Sequence, residues 1–126
     1  MMKALKIFSA VALSAGLIAS ANAAIDANKI TKRGTVNYSC QGGKRVTVNY
    51  GFNAAGVPVT ATARVDGKNR VMRYDLGRSD RVSAFFKDAR GYRLGAGELT
   101  SRNFRKSSVM ITSPRNQILF KSCMPR

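Results

Sequence analysis

From Thr35 to Val65 the chain reads TVNYSCQGGKRVTVNYGFNAAGVPVTATARV, and apolar residues take alternate positions along most of it. Val36, Tyr38 and Cys40 share one side; Val46, Val48 and Tyr50 resume it after a turn; Val57, Val59, Ala61, Ala63 and Val65 repeat it. Side chains alternate across a strand, so a period of two predicts strands with one buried face rather than a helix. Gly42-Gly43 and Asp66-Gly67 lie between the runs, and such pairs supply the positive φ of tight hairpins. Shorter runs follow over 70–74, 82–87, 92–99, 107–112 and 117–122, with SPRN at 113–116 as another turn. Gly95 and Gly97 interrupt the 92–99 run, where a bulge or bend is expected. About eight short antiparallel strands without a helix make the chain all-β, a small barrel or sandwich.

Upstream the composition changes. MMKALKIFSAVALSAGLIASANAA carries Lys3 and Lys6, an apolar stretch from Ile7 to Ile18 and a small-residue end. That is the pattern of an export leader, with cleavage expected after Ala23 or one residue later. The apolar stretch is too short to span a bilayer comfortably, and no cysteine follows it to take a lipid anchor. The expected organisation is a leader over 1–23, a loose polar arm over 24–34 and one domain over 35–126. The mature protein is then exported, periplasmic or at the outer-membrane surface, not a lipoprotein, and without a transmembrane segment. The sequence carries no legible signal for oligomeric state.

Export places the chain in an oxidising compartment, where its two cysteines, Cys40 and Cys123, are expected to form one bridge. The loop so closed is nearly the whole domain, and chain entropy assigns it roughly 4 to 5 kcal/mol of stabilisation. In a closed barrel the first and last strands are neighbours, so this bridge would staple them together. A redox role wants a Cys-x-x-Cys pair, and a metal site wants histidines. The chain has neither, and no metal or other cofactor is expected.

Twenty-two Lys and Arg stand against six Asp and Glu, a formal charge of +16, or +14 once Lys3 and Lys6 leave with the leader. A field of that sign attracts acidic partners. Catalysis is poorly supplied: of the carboxylates only Asp88 and Glu98 could pair as acid and base, and no phosphate loop or nucleophile elbow is present. No enzyme is expected. Binding residues concentrate in two stretches. KDARGYRLGAG sets Lys87, Arg90 and Arg93 around Gly91 and Tyr92, and SRNFRKSS sets Arg102, Arg105 and Lys106 around Phe104. Basic residues interleaved with aromatics suit single-stranded nucleic acid, but an exported protein seldom meets it, and no nucleic-acid partner is expected. The aromatics could equally be core residues at strand ends, and each cluster alone reads as an ordinary exposed strand end; together the two stretches could form neighbouring loops at one rim.

VNYSCQGGKRVTVNYGFNAAG, GYRLGAG and FRKSSVMITSPRNQILFKSCMPR, together with the leader, resemble the bacterial adhesin complex proteins, relatives of the MliC/PliC inhibitors of c-type lysozyme. The resemblance covers essentially the mature chain and is most specific in MITSPRNQILFKSC. It implies an antiparallel eight-stranded β-barrel closed by one disulfide, acting as a lysozyme inhibitor with adhesion to the host cell surface as a further role. In the MliC-like proteins a Ser-Gly-x-x-Tyr loop and a later Lys-Gly loop enter the lysozyme cleft. Here the tyrosine falls on Tyr92, the serine and glycine on Asp88 and Ala89, and the basic contact on Arg105 or Lys106, followed by Ser107. The implied lysozyme-binding set is Arg90, Gly91, Tyr92, Arg93, Phe104, Arg105, Lys106 and Ser107. A glycosidase uses two carboxyl groups, and basic side chains placed between them would exclude substrate. The rival reading is an adhesin using its basic faces on host glycans or lipopolysaccharide.

Overall fold

The alternating runs become eight strands in the computed structural model, which describes residues 26–126. They are β1 (Lys32–Ser39), β2 (Arg45–Phe52), β3 (Pro58–Val65), β4 (Lys68–Tyr74), β5 (Ala84–Lys87), β6 (Arg93–Ala96), β7 (Val109–Thr112) and β8 (Ile118–Pro125), with one 3₁₀ turn at Gln41–Gly43. Each strand pairs antiparallel with its sequence neighbours, and β8 returns to β1, closing the barrel. The leader expected over 1–23 lies outside the described residues. Residues Lys32–Gly34, expected as the end of an arm, belong to β1. The pairing extends further still, because the Thr31 N–H donates to Phe52 O at 2.8 Å.

Alternation sorts the side chains as the period of two requires. Val36, Tyr38, Val46, Val48, Tyr50, Ala61, Ala63, Val65, Phe86, Leu94 and Ile111 fill the interior. Alanines stand beside the rings of Tyr38, Tyr50, Phe52 and Phe86, the mixture of small and large residues that a narrow barrel needs. The phenols of Tyr38 and Tyr50 hydrogen-bond to each other at 2.6 Å inside. Burial there pushes the Tyr38 phenol up to about 12 and raises that of Tyr50 as well. Outward positions carry Arg33, Arg45, Arg64, Arg73, Lys87 and Lys121, all exposed. An apolar interior within a charged exterior is the reverse of a lipid-embedded barrel.

The hairpins follow their turn residues. Asp66 and Gly67 both adopt positive φ, 52° and 78°, as a two-residue connection between right-twisted strands demands. Gly42 and Gly43 do the same beside the 3₁₀ turn. At the closing seam β1 and β8 pair through Tyr38↔Pro125 and Ser39↔Met124, extended by the Arg126 N–H, which donates to Asn37 O at 3.0 Å. Continuing that register sets Cys40 opposite Cys123, and the two are disulfide-bonded. The bridge holds a seam that backbone pairing alone secures weakly.

Gly95 differs from expectation. The strand runs in regular register through it, from Ala84↔Ala96 to Lys87↔Arg93 on one side and Arg93↔Thr112 to Ala96↔Val109 on the other. No bulge is needed because Gly95 points outward, where its missing side chain makes room for Phe85. The strand ends before Gly97, and the chain bends there.

Candidate functional site

The β5–β6 connection covers residues 88–92 and is ordered by one carboxylate. Asp88 Oδ1 accepts from the backbone N–H groups of Arg90, Gly91 and Tyr92 at 3.0, 2.9 and 2.9 Å. The Asp88 N–H donates to Tyr92 O at 3.0 Å, closing the turn. Gly91 takes φ 103°, and a Cβ there would press on Pro114 of the β7–β8 turn. Glycine is the residue that enters this region without strain. Arg90 is left exposed at the tip.

Tyr92 is fixed from the neighbouring hairpin. Its hydroxyl donates to Asp66 Oδ2 at 2.6 Å. The Arg70 guanidinium lies 3.8 Å from the centre of its ring, a cation–π contact, and Arg70 Nε donates to Val65 O at 3.0 Å. The Asp66 hydrogen bond, with burial, raises the Tyr92 phenol above its ordinary value. Tyr92 is 8% exposed, so it braces the turn from beneath and offers little surface of its own. Asp66 and Arg70 had no local sequence signal for this role, because a hairpin tip reads as a turn whatever its carboxylate reaches. The Asp-Gly step located the tip; only the closed sheet brings it to Tyr92.

The second stretch lies elsewhere. Phe104 is buried against Phe52 and Tyr50, with ring centroids 5.3 and 6.2 Å away. Gly34 of β1 admits that ring, since a Cβ there would collide with it. Arg105 Nη1 donates to Thr35 O at 3.0 Å, and its guanidinium lies 4.8 Å from the centre of the Phe104 ring. Ser107 is buried, its hydroxyl donating to Glu98 O. Lys106 is exposed. These residues close the barrel end at which β1 begins and β2 finishes.

The two stretches therefore do not share a rim. In an up-and-down barrel successive connections emerge at alternate ends, and β6 alone separates the 88–92 turn from the 97–108 loop. Arg90, Gly91 and Tyr92 stand at the end of the Asp66-Gly67 hairpin; Phe104, Arg105, Lys106 and Ser107 stand at the other. The same parity separates Asp88 from Glu98. Arg93, the first residue of β6, stands at the end that carries Arg90, Gly91 and Tyr92; its side chain lies on the outer face, Nη2 donating to Ser113 O at 3.4 Å and to Asn116 Oδ1 of the β7–β8 turn.

The surface charge is almost entirely uncompensated. Among the described residues the ion pair present is Lys87–Asp75, at 3.9 Å. Asp26, Asp80 and Asp88 instead accept backbone N–H groups in their own turns, and Asp66 holds Tyr92.

These features define a class: a rigid, disulfide-closed, eight-stranded barrel, apolar within and basic without. The chain belongs to the adhesin complex protein family, since the family model described as Nm-ACP, an ACP-like domain, matches residues 34–125. Among solved structures it is similar to the Adhesin Complex Protein from Neisseria meningitidis, at 45% identity and a TM-score of 0.70, covering 75% of this chain and 100% of that one. No curated protein matches it.

Proposed function

We propose that this chain is an exported, surface-associated binding protein that inhibits c-type lysozyme by seating the β5–β6 turn in the enzyme's cleft. The observation that carries this reading is the turn itself: three consecutive backbone N–H groups fixed on Asp88, above a tyrosine clamped by Asp66 and Arg70. A contact loop already held in one conformation loses little entropy on binding. Arg90 at its tip is the cation that meets the catalytic carboxylates, and Gly91 allows close backbone approach. Charge-assisted bonds of that kind are the strong ones. In this reading Phe104, Arg105, Lys106 and Ser107 close the barrel rather than enter the cleft.

Lysozymes of this type are usually basic, so a strongly basic inhibitor is repelled at long range, and added salt speeds encounter. The test is lysis of bacterial cell wall by c-type lysozyme in the presence of the purified mature protein. Excess protein is expected to stop lysis, and Arg90→Ala to weaken inhibition at least tenfold, equivalent to about 1.4 kcal/mol. Undiminished lysis at excess protein refutes the reading.

A second reading, adhesion to an acidic host surface, is favoured by the uncompensated charge and by the name of the meningococcal relative. It calls for binding that falls steadily with salt and with each basic residue removed, wherever that residue lies.

A further inference from the structure

The outer face of β5, β6 and β7 carries a notch beside the barrel end that bears the β5–β6 turn. Pairing sets Phe85 opposite Gly95 and Gly95 opposite Met110, with Lys87, Arg93 and Thr112 side by side in the next row. Their neighbours Phe86, Leu94 and Ile111 point inward and are buried, so this row faces solvent. Where Gly95 lacks a side chain, a depression of about 200 Å³ is left, lined by Arg78, Phe85, Arg93, Gly95, Met110 and Thr112.

Two of the residues lining this notch, Arg78 and Arg93, are cations. The Arg78 guanidinium lies 4.9 Å from the centre of the Phe85 ring. Neither Arg78 nor Arg93 is ion-paired among the described residues. Arg93 is held in place through Nη2, which donates to Ser113 O and Asn116 Oδ1, and its Nε is buried without a hydrogen-bond partner. Arg78 is exposed, and an exposed guanidinium without a counter-charge is suited to a carboxylate or sulfate.

We infer that this notch is a binding site for an acidic sugar, a pyranose ring carrying one carboxylate. Its volume falls below the usual range for drug-sized ligands, roughly 300–1,000 Å³, and suits a single ring. The Gly95 backbone, Phe85 and Met110 offer an apolar floor to the C–H face of that ring. Arg93 and Arg78 take the carboxylate, and Thr112 takes a ring hydroxyl. Because the notch is open to solvent, the remaining hydroxyls stay in water, which suits a sugar better than an aromatic acid. The site stands on the barrel flank and does not depend on lysozyme binding.

The test titrates the methyl glycoside of glucuronic acid into the ¹⁵N-labelled mature protein and follows the amide signals of Gly95 and Met110. Methyl glucoside, benzoate and inorganic phosphate are run in parallel, with glucose 6-sulfate to distinguish a sulfate ester from a carboxylate. Saturable shifts confined to this face with the glucuronoside, and to a lesser degree with the sulfate, are expected. Gly95→Val changes no charge and favours the strand, and a Cβ there meets only the edge of the Phe85 ring at 3.3 Å. It is expected to weaken binding at least tenfold. Arg78→Gln, in an exposed loop, is expected to do the same, while Arg64→Gln on β3 leaves affinity unchanged. Four results would each overturn the proposal: no saturable shift with the glucuronoside, equal binding of methyl glucoside, equal binding of phosphate or benzoate, or full affinity in folded Gly95→Val.

Discussion

The two ends of the barrel reach order by different routes. At one end the five residues between β5 and β6 converge their N–H groups on a single carboxylate, so the order is local and polar and Arg90 remains free at the tip. At the other end the twelve residues between β6 and β7 are held by burying Phe104 against Gly34, Tyr50 and Phe52. Burial of that kind consumes the aromatic side chain and ties Arg105 to β1. A short turn can be rigid and still present a side chain, whereas a long loop gains its rigidity by giving its largest side chain to the core.

The largest effect should come from a change that undermines both ends at once. Cys123→Ser leaves the β1–β8 seam to two residue pairs and the Arg126–Asn37 backbone bond, and chain entropy puts the loss at about 4 to 5 kcal/mol. At roughly 4 to 8 °C per kcal/mol for a domain near 100 residues, calorimetry should show Tm falling by about 20 °C or more. Next is Phe104→Ala, expected to cost about 3 kcal/mol or more as an emptied aromatic site. Hydrogen exchange should accelerate over 97–108 while 88–92 keeps its protection. The converse change, Asp88→Ala, removes the acceptor of three N–H groups and should cost about 1 to 2 kcal/mol. It should free 88–92 without loosening 97–108, and weaken lysozyme inhibition although Arg90 is untouched.

The last effect is one of pH. Tyr38 ionises in the folded barrel only near 12, against about 10 in an unfolded chain. Unfolding therefore releases a proton between these values, and stability, intact below pH 10, falls as pH rises from 10 to 12. The raised phenols of Tyr50 and Tyr92 act in the same direction. Tyr92→Phe should lessen the fall, as measured by Tm against pH.

Much of this was legible in the sequence, for physical reasons. Val46, Val48 and Tyr50 announce a strand because burial on one face of a pleated ribbon must repeat every two residues, and Asp66-Gly67 announces a hairpin because few pairs accept two positive φ angles. The pairing of Cys40 with Cys123 followed from having two cysteines in a chain expected to be exported. Phe104 could be read as a core residue at a strand end or as a contact, and the sequence did not choose between them. It lies in an irregular loop, where no period marks burial, and its pocket is made by Gly34, remote along the chain. The separation of Tyr92 from Arg105 was available in principle, because one strand between two loops puts them at opposite ends of an up-and-down barrel. A sandwich, left open by the strand pattern, keeps the same parity where its strands run from end to end. Gly95 suggested a bulge because a glycine in a strand has two meanings, and only the pairing register distinguishes a kink from a gap on the outer face.

The difference between the ends is tested most directly by amide exchange of the mature protein alone and mixed with c-type lysozyme. Added protection is expected over 88–92 and at the adjoining Asp66–Arg70 hairpin, with 97–108 unchanged. Added protection over 97–108 with 88–92 unchanged, or no added protection at either end, would contradict it.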